Sequence, residues 1–122
     1  MSPKECGATT IYEDMKKFDV VYSEPAERDL RGVFEYIAFT LREPIIAKKQ
    51  SNRIIDAVAG LDQMPERFRC YEKEPWRGIG LRVMPVDKYL VFYLPSESKG
   101  IVSIIRIIYG GRDIEKQLRQ TE

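Results

Sequence analysis

Apolar and polar positions divide the chain into two helical runs and four strand-like ones. Phe18, Val20 and Tyr22 alternate with Asp19, Val21 and Ser23, a period of two that predicts a strand with two unlike faces. Ser23 and Pro25 then supply a helix start, an oxygen-bearing cap followed by a proline in the first turn, where its missing N–H does no harm. Ala26, Leu30, Val33, Phe34, Ile37, Ala38 and Leu41 recur at helical spacing and predict a core-facing stripe. Pro44 opens a second helix with Ala47, Ile54, Ile55, Val58 and Leu61 on one side, and Pro65 ends it. The link at 42–43 is so short that the two helices must form an antiparallel hairpin.

Residues 67–76 mix charges and aromatics without a period and predict a loop. After Gly78 and Gly80, residues 81–84, 89–94 and 101–109 read as strands with hairpin-length connections, hence consecutive and antiparallel. The last of them is apolar at nearly every position, as a central strand buried on both faces would be. Gly110 and Gly111 end it, and residues 113–119 have the length of a short terminal helix. The predicted order is β-α-α-β-β-β, an α+β fold with a curved antiparallel sheet and an N-terminal helical hairpin on one face. The opposite face is expected to lie open, and on so small a domain an open face is polar, ligand-occupied or covered by a partner.

At 122 residues the chain has interior for one domain. Residues 1–14 show no apolar period and are expected to form a flexible extension, with the domain spanning 15–122 from Met15 onward. The first residues lack the apolar stretch of a secretory signal, so a cytoplasmic location is expected. Cys6 and Cys70 lie far apart with no metal-type spacing and read as free thiols. The chain contains no histidine, so any catalysis must come from Lys, Arg, Tyr or carboxylates, and no metal or other cofactor is implied.

Charge is uneven: residues 65–122 carry 11 Lys/Arg against 8 Asp/Glu, whereas residues 1–64 carry 9 against 11. The cations of the second half include Arg77, Arg82, Lys88, Arg106 and Arg112, interleaved with Trp76, Tyr89, Tyr93 and Tyr109. Guanidinium groups grip phosphates and aromatic faces stack on unpaired bases, so this mixture suits single-stranded nucleic acid. Each residue also has a plainer reading. Tyr89 and Tyr93 suit the core equally well, and Lys88 suits a turn. Arg106 either lies on the open face, the reading favoured here, or pairs with an acid, because an unpaired charge in an apolar strand is costly. Arg112 either reaches a ligand or bridges to Asp113.

Several phrases in this order resemble the RelE/ParE toxin superfamily of type II toxin–antitoxin systems. They are Val21-Tyr22-Ser23 leading into Pro25-Ala26-Glu27-Arg28-Asp29-Leu30; Leu61 with Met64-Pro65; Leu81-Arg82; Tyr89-Leu90-Val91-Phe92-Tyr93; and Arg106-Ile107-Ile108-Tyr109-Gly110-Gly111-Arg112-Asp113. The resemblance spans residues 16–119. It implies the β-α-α-β-β-β fold, a growth-arresting toxin of the plasmid-stabilisation type, and neutralisation by a bound antitoxin, in a complex that can also bind promoter DNA. The RelE-like branch is an endoribonuclease that cuts mRNA on the ribosome without a metal, by electrostatic stabilisation. On that pattern Arg112, Arg82 and Tyr109 are the catalytic candidates, and Arg77, Lys88, Arg106, Tyr89 and Tyr93 the RNA- or target-binding ones. The branch's late arginine falls on Arg112. Its lysines fall near Gly78 and Gly80, its next arginine on Leu90, and its terminal tyrosine near Leu118, so most of that set is replaced here. The ParE-like branch instead poisons DNA gyrase by binding. Three readings stay open: ribosome-associated mRNA cleavage, which is favoured, gyrase inhibition, and an inactive relative acting as antitoxin-binding co-repressor.

Overall fold

A computed structural model describes residues 17–111 and 113–120. The expectation for residues 1–14, and those for Cys6 and Arg112, lie outside the described residues. Strand β1 (Asp19–Tyr22) leads into helix α1 (Glu24–Glu35), a π-helical turn (Tyr36–Thr40) and helix α2 (Pro44–Ala59). Two 3-10 turns (Gly60–Asp62, Pro65–Arg67) precede β2 (Arg82–Val86), β3 (Tyr89–Ser96), β4 (Ile101–Tyr109) and the short helix α3 (Ile114–Arg119). The α+β architecture is the one expected from the sequence.

The sheet order is β1-β4-β3-β2. Strands β2, β3 and β4 are antiparallel neighbours as expected, while β1 lies parallel to β4, with Asp19 opposite Ile101 and Tyr22 opposite Ile104. The helical hairpin carries the chain back so that β1 and β4 run the same way. Pro85, expected in a connection, lies within β2, which is an edge strand where a missing N–H breaks no inner ladder.

Ser23 joins two elements. Its Oγ accepts the Ala26 N–H at 3.1 Å as the α1 cap and donates to the Ile105 carbonyl at 2.9 Å. In β4, pairing slips from Phe92–Arg106 to Tyr93–Ile104, leaving Ile105 as an extra residue. The bulge resets the alternation, so Ile104 and Ile107 both face the helices. Ile105 and Ile108 face the other way.

The helices bury Ala26, Val33, Ala47, Ile54 and Val58 against Met84, Val91, Tyr93, Val102 and Ile104. Two residues of the expected stripes fall elsewhere, for Leu41 and Ile55 are exposed. The π turn shifts the helical phase, and Ser51 takes an inward position on α2.

The opposite face is not open as expected. Leu81, Val83, Phe92, Ile108 and Leu118 form a second buried cluster there, with Tyr71, Trp76 and Ile114 packed on it. The segment between the second 3-10 turn and β2, together with α3, fills the face. The Tyr71 hydroxyl donates to Glu115 at 2.8 Å and ties these two covers together. No helix among the described residues is long and apolar enough to cross a membrane.

Candidate functional site

Arg106 pairs with an acid and does not lie on an open face. Its Nε and Nη2 donate to the Asp29 carboxylate at 2.6 and 3.0 Å, and its Nη1 donates to the Gln117 carbonyl at 2.8 Å. Both partners are mostly sequestered, with side chains 12% and 17% exposed. The cause is topological. Strand β1 ends opposite Ile104, so the next part of β4 has no strand on its β1 side, and the Asp29 carboxylate takes that place by accepting the Ile107 N–H at 2.9 Å. A charge there requires a counter-charge, which Arg106 supplies.

Arg82 is likewise an anchor. Its Nη1 donates to the carbonyls of Glu66 at 3.1 Å and Phe68 at 2.6 Å. Opposite it in the ladder, Tyr93 is fully buried and its hydroxyl donates to the Pro65 carbonyl at 2.5 Å. Burial pushes that phenol far above its ordinary value, which keeps it a donor. The two residues hold the turn after α2 against the sheet, and the buried Tyr93 ring presents no face for a base to stack on. Trp76 is also structural, with its ring edge-on to Tyr71 at 5.9 Å.

The remaining described candidates divide. Lys88, Tyr89 and Tyr109 meet at one end of the sheet, where Tyr89 pairs with Tyr109 and their rings lie 5.6 Å apart, edge to face. Tyr109 is 43% exposed, Lys88 is exposed, and the Gly110 N–H donates to the Lys88 carbonyl at 2.8 Å. A Cβ on Gly111 would come within 2.8 Å of the Tyr109 ring, so the residue must be glycine for that ring to lie where it does. The β2–β3 turn beside them is clamped to α2. Arg53 donates to both Asp87 oxygens at 2.7 and 2.6 Å, and Gln50 to one at 2.9 Å. Those donors, Arg53 first, hold the Asp87 carboxyl down at about 2. Arg77 stands apart, exposed in the turn at 74–80.

A different site lies on the helical hairpin. Between α1, α2 and β1 runs an open groove of about 610 Å³, lined by Tyr22, Leu30, Phe34, Ser51 and Ile55, with Glu27 and Arg31 as its charged members. Its apolar character continues toward the hairpin tip, where Phe34 meets Phe39 edge-on at 6.4 Å and Phe39 and Ile45 are 70% and 72% exposed. Within the groove the Tyr22 and Ser51 hydroxyl oxygens are buried without a hydrogen-bond partner among the described residues.

Asp29, Tyr22 and Ser51 were not among the candidates read from the sequence. Their signal is positional: Asp29 sits between Ala26 and Val33 on the buried stripe of α1, and Ser51 between Ala47 and Ile54 on that of α2. A polar residue at such a position needs a partner. Among the described residues no group of acids or thiols converges to hold a metal ion.

Residues 20–114 match the sequence model of a family described as the ParE toxin of the type II toxin–antitoxin system parDE. No curated protein matches the sequence. Among solved structures, the chain resembles one of the chromosomal ParDE system of P. aeruginosa at 18% identity and a TM-score of 0.63, over 77% of this chain and 97% of that one. It resembles one from the RelBE2 toxin–antitoxin complex of Mycobacterium tuberculosis at 19% identity and a TM-score of 0.55, over 76% of this chain and 98% of that one. It is similar again to one from the archaeal RelE–RelB complex of Pyrococcus horikoshii OT3, at 18% identity and a TM-score of 0.55, over 79% and 98%. At these identities the structural likenesses show the fold.

Proposed function

The chain belongs to the ParE toxin family of type II toxin–antitoxin systems, and from that premise we propose that it arrests growth in the cytoplasm by binding a protein target, with an antitoxin held in the α1–α2 groove as its neutraliser. The observation that carries the binding mechanism is the placement of Arg106. An RNA-cleaving site on the sheet needs cations free to meet a phosphorane, and here the central guanidinium is bound to Asp29 and Gln117. Arg82 gives its Nη1 to turn carbonyls, and the face itself is filled by Phe92, Ile108 and Leu118. These placements support the gyrase reading over mRNA cleavage, DNA gyrase being the target that the ParE resemblance implies. Lys88 and Tyr109, exposed together at one end of the sheet, are the candidates for that contact.

The antitoxin reading rests on the groove. Its apolar floor runs on through Phe34 to the exposed Phe39, and Ile45 is exposed at the start of α2, uncovered apolar surface of the kind that marks a protein interface. The test is induction of the chain alone, followed by primer extension on abundant transcripts and a supercoiling assay with purified gyrase. Growth arrest with intact transcripts and inhibited supercoiling is the expected result. Transcripts cut during translation, with gyrase unaffected, would restore the ribonuclease reading.

A further inference from the structure

The clamp on the β2–β3 turn fixes more than the turn. Gln50 and Arg53 of α2 both reach Asp87, and helical spacing puts Ile46 and Lys49 on the same side of that helix, one turn before them. Ile46 is 51% exposed and Lys49 is exposed. Lys88, exposed as well, follows Asp87 directly and is joined through its carbonyl to Gly110 at the end of β4. Tyr109 follows Ile107 by two places in a regular stretch of ladder, so it points to the helix-covered side of the sheet, where its partner Tyr89 packs on the core. The clamp thus brings an isoleucine and a lysine of α2 to the end of the sheet that carries Lys88 and Tyr109. Charge at this end is one-sided. The Asp87 carboxylate is held by Arg53 and Gln50, and neither Lys49 nor Lys88 has an ion pair among the described residues. Along α2 the nearest acids, Glu43 and Asp56, lie beyond either end of the set.

We infer that Ile46 and Lys49 belong to the target-contact surface with Lys88 and Tyr109, and that this surface takes an acidic protein segment with an apolar side chain set among its carboxylates. This rests on the reading of the chain as an inhibitor that binds a protein target. The two ammonium groups call for carboxylates by charge complementarity. Ile46 decides for protein over nucleic acid, because an apolar centre with charge around it is the layout of a protein–protein contact, whereas a phosphate backbone is met by cations. The surface is also distinct from the groove. Ile55, on the groove wall, lies about two and a half turns along α2 from Ile46 and so on the opposite side of the helix. Target and groove occupant meet different faces of one helix.

The experiment measures binding of the full chain to purified DNA gyrase holoenzyme, with and without plasmid, and reads it again as inhibition of supercoiling. The natural chain should bind without plasmid. Ile46→Ser and Lys49→Glu should each weaken binding by about tenfold or more and melt near the natural chain, since both side chains are at least half exposed or on the surface. Ile79→Ser makes the same change at an isoleucine 61% exposed in the turn at 74–80, and it should bind as the natural chain does. Binding that required plasmid, fell with Lys49→Glu and held with Ile46→Ser would overturn the inference in favour of a nucleic-acid backbone. Natural affinity in Ile46→Ser and Lys49→Glu, with Lys88→Glu weakened, would overturn the part given to α2 and leave the contact at Lys88 and Tyr109 intact. Natural affinity in all three would overturn the whole surface, and a natural chain that fails to bind gyrase would overturn the target reading beneath it.

Discussion

Asp29 and Arg106 are 77 residues apart in sequence and form a two-point ion pair, with nitrogen–oxygen distances of 2.6 and 3.0 Å. The same carboxylate closes the unpaired edge of β4 at Ile107, and the same guanidinium holds the Gln117 carbonyl of α3. Removing either partner strands a buried charge. Asp29→Ala or Arg106→Ala should each lower stability by about 3–5 kcal/mol, read as the denaturant midpoint. The double variant Asp29→Leu/Arg106→Met should recover only part of the loss, because the Ile107 N–H stays unpaired at about 1–3 kcal/mol. Full recovery would mean that Asp29 serves the ion pair alone and not the strand edge.

Arg82 separates a structural role from a chemical one. If its part is to hold the Glu66 and Phe68 carbonyls, Arg82→Ala should cost about 1–3 kcal/mol in stability and leave the growth arrest caused by the folded fraction unchanged. Arg82→Lys, which keeps a donor without the planar fork, should recover part of the stability. A fully stable Arg82→Ala protein that had lost its toxicity would return Arg82 to the site.

The sequence makes the architecture legible because the apolar periods of its strands and helices differ and prolines mark their ends. It hides the fate of the cations, because a single arginine in an apolar strand looks the same whether it faces solvent or an acid. Arg106 would have been resolved by pairing it with Asp29, the one acid on the inner stripe of α1. The cover on the outer face of the sheet is hidden for a related reason. Residues 67–76 carry no period, yet Tyr71 and Trp76 pack edge-on in series with Phe92 by shape and not by pattern. Ser51 and the exposed Ile55 show the converse, since both fit helical spacing and only the neighbouring groove decides which one is buried.

The clamp on the β2–β3 turn gives a pH signature. Asp87 has a carboxyl held at about 2 by Arg53 and Gln50, below its ordinary value of 3.8. Its folded pKa is depressed, so the stability it contributes is fully present above the unfolded value near 3.8 and is lost as pH falls toward 2. Asp87→Asn should therefore melt below the natural chain by a constant margin above pH 5, and the two curves should converge as pH drops toward 2. Asparagine is the right probe, because residue 87 has φ of 56° and Asn tolerates the left-handed region. A margin that persists undiminished at pH 2 would show that the ionised carboxylate is not what holds the turn.

Lys88 and Tyr109 are brought together by the backbone and not by their side chains. The Gly110 N–H donates to the Lys88 carbonyl at 2.8 Å, and Tyr109 lies opposite Tyr89 in the ladder, so the turn residue and the end of β4 are joined in one unit. The Arg53–Asp87 pair fixes that unit to α2 without using the Lys88 ammonium. An exposed cation beside an exposed aromatic ring on a rigid support suits contact with an acidic protein surface, where a few such residues dominate binding. Lys88→Glu should then reduce toxicity by about tenfold or more while leaving the melting temperature and antitoxin binding nearly unchanged, because Lys88 does not line the groove. Tyr109→Ser should act in the same direction. Arg112→Ala enters on its sequence position alone, directly after Gly111. Arg77→Glu is the control, since the structure does not bring Arg77 to this end, and it should leave toxicity intact. Toxicity that follows Arg77 and ignores Lys88 and Tyr109 would move the target-contact surface to the turn at 74–80.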